Sequence, residues 1–277
     1  GPATAARRIL SSASSIAVLP FENASSEPNT DYLSDGITET LIDVLTRLPR
    51  LRVMARSTVF RLKGRDLDPV TIGQQLNVDT VLMGRVSQQG ERVMVRAELV
   101  DGPNGWQLWG EHYTRRLTDV FAMQEEIASE IAAKLRIKLG GEEKRRLTRT
   151  PVRNTEAFQF YLKGRYCWNK KTEEELQSAV RYFQRAIERD PTHAQAYAGL
   201  ADCYATMGFF GLLPPREAMP RARAAAIKAL EIDNELAEAH TSLAMVTYRY
   251  GWDFAEAERE FLRAIELRPG YAVAHQW

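Results

Sequence analysis

Asp35 and Glu39 stand one helical turn apart in Asp35-Gly36-Ile37-Thr38-Glu39. That spacing puts two carboxylates on one helix face, and general acid–base chemistry would need them in a pocket with unequal environments. Negative charge near a helix amino terminus is stabilising without any chemistry, so the pair has a structural reading as well. Ser57 and Thr58 offer hydroxyls with no base nearby in sequence. The four histidines, His112, His193, His240 and His275, are scattered rather than grouped at metal-ligand spacing. No Gly-rich loop is followed by Lys-Ser or Lys-Thr, and no His-Arg-Asp or Asp-Phe-Gly string occurs. The residues therefore predict a chain that is not an enzyme and that needs neither cofactor nor metal.

The elements that would position any site fall into two patterns. From Ala179 to Pro191, small residues at Ala179 and Ala186 flank an aromatic at Phe183, and a proline ends the run. The pattern returns as Ala257, Phe261, Ala264 and Pro269, and in weaker form as Ala222, Ala226, Ala229 and Asn234. A second helical pattern precedes each copy: Phe160, Gly164 and Cys167; Tyr197, Leu200, Ala201 and Tyr204; His240, Leu243, Ala244 and Thr247. Small residues let helices approach and large ones fill the holes, and one such helix pair cannot bury its own apolar face, so the units must stack. His240 and His275 share one repeat position, which accounts for their spacing without a metal.

A helix–turn–helix unit recurring about every 34 residues or a little more resembles the tetratricopeptide (TPR) family. The resemblance implies an all-α solenoid that binds protein or peptide along a groove lined by the first helix of each pair. Carried onto this sequence, the groove positions include Phe158, Tyr161, Arg165, Trp168 and Asn169 in the first repeat. The second supplies Gln195, Ala198, Asp202, Ala205 and Thr206, and the third Glu238, Thr241, Met245, Tyr248 and Arg249. Aromatics supply contact area while Arg and Asn bind backbone or carboxylates, which suits an extended peptide. Phe158 and Tyr161 could equally pack on the preceding domain. The second repeat carries an insertion, Gly208 to Pro215, and Trp168 and Trp252-Asp253-Phe254 stand at the corresponding end of the other repeats. An edge bearing Phe209, Phe210, Trp252 and Phe254 is a candidate docking row; alternatively the stiff Pro214-Pro215 segment folds the insertion back over its own helices. Cys167 and Cys203, in the first helices of adjacent repeats, are expected to pack between helices.

The first half alternates differently. Ile16 to Phe21 reads as a buried strand ended by Glu22-Asn23-Ala24-Ser25-Ser26, and Leu33, Ile37, Leu41, Val44, Leu45 and Leu48 as a helix. A strand at Leu51 to Ala55, a short helix from Pro69 to Leu76, and a hairpin of Thr80 to Val86 and Arg92 to Val100 about Gln88-Gln89-Gly90-Glu91 follow. Trp106 to Tyr113 is a further strand, and Val120, Phe121, Gln124, Ile127, Ile131 and Leu135 mark a long helix. The order predicts an α/β (α+β) sandwich with a mixed sheet, its helices on the apolar face and one face polar. Residues 1–14 read as linker and cleavage scar, 15–140 as this domain, 141–154, with Lys144-Arg145-Arg146, as a linker, and 155–277 as three repeats and the start of a fourth.

The strings Ile16 to Phe21, Tyr32 to Glu39, Arg52 to Phe60 and Leu108-Trp109-Gly110-Glu111 resemble the accessory domain similar to the amino-terminal domain of TolB-type proteins. In bacteria such a domain commonly precedes tetratricopeptide repeats. The pairing implies the sensor half of a membrane serine/threonine protein kinase lying outside the cytoplasm; the alternatives are a winged-helix regulator, an adenylate cyclase, a free-standing envelope scaffold, or a cytoplasmic location.

With 277 residues, 44% hydrophobic and 26% charged, the composition is that of an ordinary soluble protein with room for two cores. A net charge of +1 gives no general pull towards nucleic acid, and no apolar run is long enough for membrane insertion. The sequence stops within its fourth repeat, at Ala272 to Trp277. An incomplete stack exposes the apolar face of its last helix, so self-association is expected. Light scattering at high concentration checks this: a mass above that of one chain is the expected outcome, and a strict monomer is against it.

Overall fold

In the computed structural model, residues 15–25, 30–48, 51–65, 68–135, 137 and 154–276 are described. The expected linkers at 1–14 and 141–154, save for Asn154, which caps the helix that follows, the basic run Lys144-Arg145-Arg146 and Trp277 lie outside them. The chain divides into two compact units, Gly1–Pro151 and Val152–Trp277.

The first unit is built on a mixed sheet of order β3-β1-β4-β5-β6. Its strands are β1 (Ser15–Val18), β2 (Glu22–Asn23), β3 (Arg52–Val53), β4 (Thr80–Gln89), β5 (Arg92–Asp101) and β6 (Gln107–Arg116). β1 runs parallel to β3 and β4, whereas β4, β5 and β6 are antiparallel neighbours. Ser15 and Asp79 fix the register of β1 on β4: the Ser15 hydroxyl donates to Asp79 at 2.7 Å and accepts from the Asp79 amide at 2.9 Å. Glu22–Asn23, expected to end the first strand, instead adds a second short strand beside β4 at Arg85–Val86. Their charged and amide side chains mask a pairing that the backbone alone makes.

Helices α1 (Asp31–Leu45) and α4 (Val120–Lys134) cover the sheet face that carries Leu82, Val86, Val95 and Leu99, all nearly inaccessible to solvent. α1 is tied down where Thr38 accepts from the Phe21 amide at 2.9 Å, and α4 where Glu130 accepts from the Trp109 indole at 3.0 Å. Arg56–Val59 forms a single turn, α2, and Pro69–Leu76 forms α3. Asp68 caps α3 by accepting from Val70 and Thr71, Pro69 opens it, and Asn77 closes it at φ 50°.

The second unit is a run of antiparallel helix pairs: α5 (Thr155–Lys170) with α6 (Glu173–Arg189), α7 (Ala194–Phe209) with α8 (Pro215–Ile232), and α9 (Ala237–Val246) with α10 (Phe254–Leu267), followed by α11 (Ala272–Gln276). The fold is tetratricopeptide-like. Its repeated parts recur in detail. Lys171 and Trp252 both sit at φ 57°, each just ahead of a capping residue, Thr172 or Asp253. His240 and His275 each bond through Nε2 to the carbonyl oxygen six residues earlier, of Asn234 and Pro269. A five-residue π-helical turn, Thr247–Gly251, ends α9.

Phe183, with no exposed surface, is the packing centre of the first two pairs. A methyl group on Gly164 would come within 2.7 Å of its ring, and one on Gly199 within 2.5 Å. Gly199→Ala is therefore expected to destabilise the protein by about 1–3 kcal/mol through overpacking. Denaturant melts followed by circular dichroism check this, and an unchanged midpoint would mean that α7 can shift away from the ring.

Candidate functional site: the repeat groove and its aromatic edge

The first helices of the pairs bring together three of the residues expected to face the groove, Arg165, Trp168 and Asp202. Arg165 of α5 meets Asp202 of α7 at 3.5 Å, each side chain one-fifth exposed. Ser242 of α9 donates to the other Asp202 oxygen at 2.6 Å, linking three successive repeats. The Arg165 guanidinium also lies 4.6 Å over the Trp168 ring, and the Lys171 ammonium lies over that ring as well. Burial pushes the Asp202 carboxyl above its ordinary range, opposed by Arg165 and by the Ser242 hydrogen bond. Further along, Glu238 is ion-paired with Arg268, whose buried guanidinium stacks 4.3 Å over Tyr271. Asn169, Thr206 and Met245 are half-buried on α5, α7 and α9.

Other expected groove residues are placed elsewhere. Tyr161 is half-buried with its ring 6.2 Å from Phe158, 6.1 Å from Phe183 and 5.1 Å from His193. It serves packing inside the repeat unit. His193 is half-buried beside it, and desolvation holds its imidazole down to about 4. Tyr248 and Arg249 fall in the π-helical turn that ends α9. Tyr248 stands 5.6 Å from Phe254, and Arg249 stacks 4.5 Å over Phe209.

These contacts assemble an aromatic edge from two repeats. Phe209 lies 5.2 Å from Phe210, and Trp252 lies 6.3 Å from Phe254. The insertion does fold back through its backbone, Leu212 and Leu213 donating to the Met207 carbonyl. Its two phenylalanines nevertheless stay over half exposed, and Trp252 is 73% exposed. Trp168, expected in the same row, is half-buried beneath its cations. Lys171 and Ser242 were missed by sequence reasoning: Lys171 lies in a turn, and Ser242 is one position off the assigned groove stripe.

Asp35 and Glu39 are buried, and cations from the segment after β3 meet them: Lys63 lies 2.6 Å from Asp35, and Arg56 pairs with Glu39 while stacking 3.7 Å over Phe60. They tie α1 to that segment. Cys167 and Cys203 are buried free thiols, and burial pushes Cys167 up to about 12. Among the described residues no group of three or more His, Cys, Asp or Glu is arranged to hold a metal, and no helix is long and apolar enough to cross a membrane.

Residues 12–130 match the family model of the second domain of HilA/YgeH-like transcriptional regulators. A protein of Rhizobium meliloti (strain 1021), assigned as adenylate cyclase 3, is 39% identical over 188 residues, 68% of this chain and 32% of the relative. The matched part thus spans about a third of that relative's length. Among solved structures, the first TPR of Spaghetti (RPAP3), bound to an HSP90 peptide, is 17% identical with a TM-score of 0.37, covering 45% of this chain and 89% of that one. TolB from Acinetobacter baumannii is 17% identical with a TM-score of 0.35, covering 45% of this chain and 28% of that one.

Because folding raises the Asp202 pKa above its ordinary 3.8, the folded state takes up a proton there. Its contribution to stability is most favourable at low pH and falls as pH rises through the interval just above 3.8. Asp202→Asn keeps an acceptor for Ser242 and removes the titration. The stability of the variant relative to the parent is expected to rise as pH is raised above about 4, measured by denaturant melts at increasing pH. A constant difference would show that Asp202 does not titrate there.

Proposed function

We propose that the chain is a non-catalytic protein-interaction module of a bacterial signalling protein. Its repeat half binds an extended peptide or protein segment along α5, α7 and α9, with Phe209, Phe210, Trp252 and Phe254 as the docking rim. The observation that carries this reading is the exposed aromatic edge around Arg249, beside a groove whose polar groups are already fixed. Aromatics and arginine dominate interface energies, and a contiguous apolar patch costs solubility unless something covers it. A partner that lays a side chain between Phe209 and Trp252 would remove both rings from water.

The effector served by this module is proposed from the relatives. One is assigned as a cyclase, and the first unit matches a domain of transcriptional regulators. Association with two different outputs supports an accessory sensing role, and it favours a cyclase or a winged-helix regulator over a serine/threonine kinase as the parent. An extracytoplasmic position in a membrane-anchored parent is part of the proposal; alkaline phosphatase fused after the repeats of the full-length protein would be active if it holds and inactive if the module is cytoplasmic.

Peptide-display selection on the intact chain tests the binding role. Enriched peptides are expected to bind in fluorescence anisotropy and to lose about tenfold or more in affinity to Trp252→Ala and Phe209→Ala. Both residues are exposed, so these variants should melt within about 0.5 kcal/mol of the parent. Failure to enrich any peptide, or enrichment of peptides indifferent to both substitutions, would overturn the assignment of the edge.

A further inference from the structure

The sheet face opposite α1 and α4 carries its charges in rows. Strand alternation turns Arg85 and Gln89 of β4 towards this face. The register places Arg85 opposite Arg96, and Arg96 opposite His112. Four residues along, Gln89 lies opposite Arg92, and Arg92 opposite Arg116. The row between them is uncharged: Ser87, Met94 and Thr114. Two of these rows therefore set arginine directly against arginine across neighbouring strands, an arrangement that destabilises a sheet unless an anion answers it.

The first row has such an answer. Glu22 holds Arg85 at 2.7 Å and Glu98 holds Arg96 at 2.7 Å, around a shallow depression of about 200 Å³. For the second row, no ion pair holds Arg92 or Arg116 among the described residues, and both side chains are exposed. Four arginines thus face two glutamates in a chain whose net charge is only +1, so the excess is local to this face. The charged rows are four residues apart, about 13 Å along the strands. An extended peptide has the same rise, so its side chains at positions i and i+4 fall on the two rows. Arginine binds carboxylates through two parallel hydrogen bonds, a geometry that lysine lacks.

We propose that this open face of the β4–β5–β6 sheet is a binding site for an acidic polypeptide segment, held extended along the strands with one carboxylate between Arg92 and Arg116 and a second, four residues on, competing with Glu22 and Glu98 for the arginines of the Arg85–Arg96–His112 row. The site belongs to the first unit and does not depend on the repeat groove.

The test uses the intact chain and a fluorescein-labelled serine peptide with glutamates at i and i+4, read by anisotropy at low salt. A peptide with the two glutamates adjacent and a short DNA duplex of random sequence serve as comparisons. The i, i+4 peptide is expected to bind more tightly than the adjacent one, with affinity falling as salt is raised. Arg92→Glu together with Arg116→Glu should weaken binding about tenfold or more, while Arg181→Glu on α6 should leave it unchanged. All three positions are exposed, and the uncharged pair Arg92→Gln and Arg116→Gln gives the same reading without introducing repulsion. Equal binding by the parent and the doubly substituted chain would overturn the proposal. So would absence of binding, equal affinity for both peptides, or preference for the DNA, the last pointing to phosphate rather than carboxylate as the partner group.

Discussion

The ring of Phe183 occupies the space that Gly164 and Gly199 leave open, and the first two helix pairs are spaced by that contact. Ala179 and Ala186, both fully buried on the same helix, let α6 come close enough for the ring to reach α5 and α7 together. A Cβ at either glycine would sit inside the ring's van der Waals surface, so the helix separation cannot change without repacking the whole cluster. Because α5 and α7 are held at that distance, Arg165 and Asp202 meet across the groove, and Asp202 in turn meets Ser242 on α9. The polar line of the groove is therefore a consequence of apolar packing behind it.

Charge is distributed on a consistent physical plan. Several shielded carboxylates have cations: the buried Asp35 with Lys63 and Glu39 with Arg56, and the half-buried Asp202 with Arg165. Removing one partner of such a pair strands the other in a poorly solvated place, which is far more damaging than the pair is stabilising. These pairs fix which segments lie together. On the open sheet face and the aromatic edge the opposite holds, since arginines and large rings are left to solvent where ordinary packing would cover or answer them. Both uncovered surfaces lie on rigid elements, strands in one unit and helix ends in the other, which suits recognition better than mobile loops would.

Much of this was legible in the residues. Period-2 alternation in Arg92 to Val100 gave a strand with one buried and one polar face, and Asp68-Pro69 ahead of an apolar run placed α3 from Pro69 to Leu76. The repeated Ala, Phe and Pro positions gave the helix pairs, and the shared position of His240 and His275 explained both without a metal. Sequence reasoning failed where backbone geometry departs from the regular period. Glu22–Asn23 joins the sheet through main-chain pairing that its side chains do not advertise. The π-helical turn at Thr247–Gly251, which holds Tyr248 and Arg249, has no signature in the hydrophobic period.

The sequence by itself determined the two architectures, because hydrophobic period and residue size are local properties that fix which face of each element must be buried. Only the tertiary structure decided which polar groups answer one another. Arg165, Asp202 and Ser242 are far apart in the chain and meet through helix stacking, while Arg92 and Arg116 face each other because the hairpin register pairs them. Such partnerships depend on distances between elements, and those distances are set by packed side chains like Phe183 that no local pattern measures.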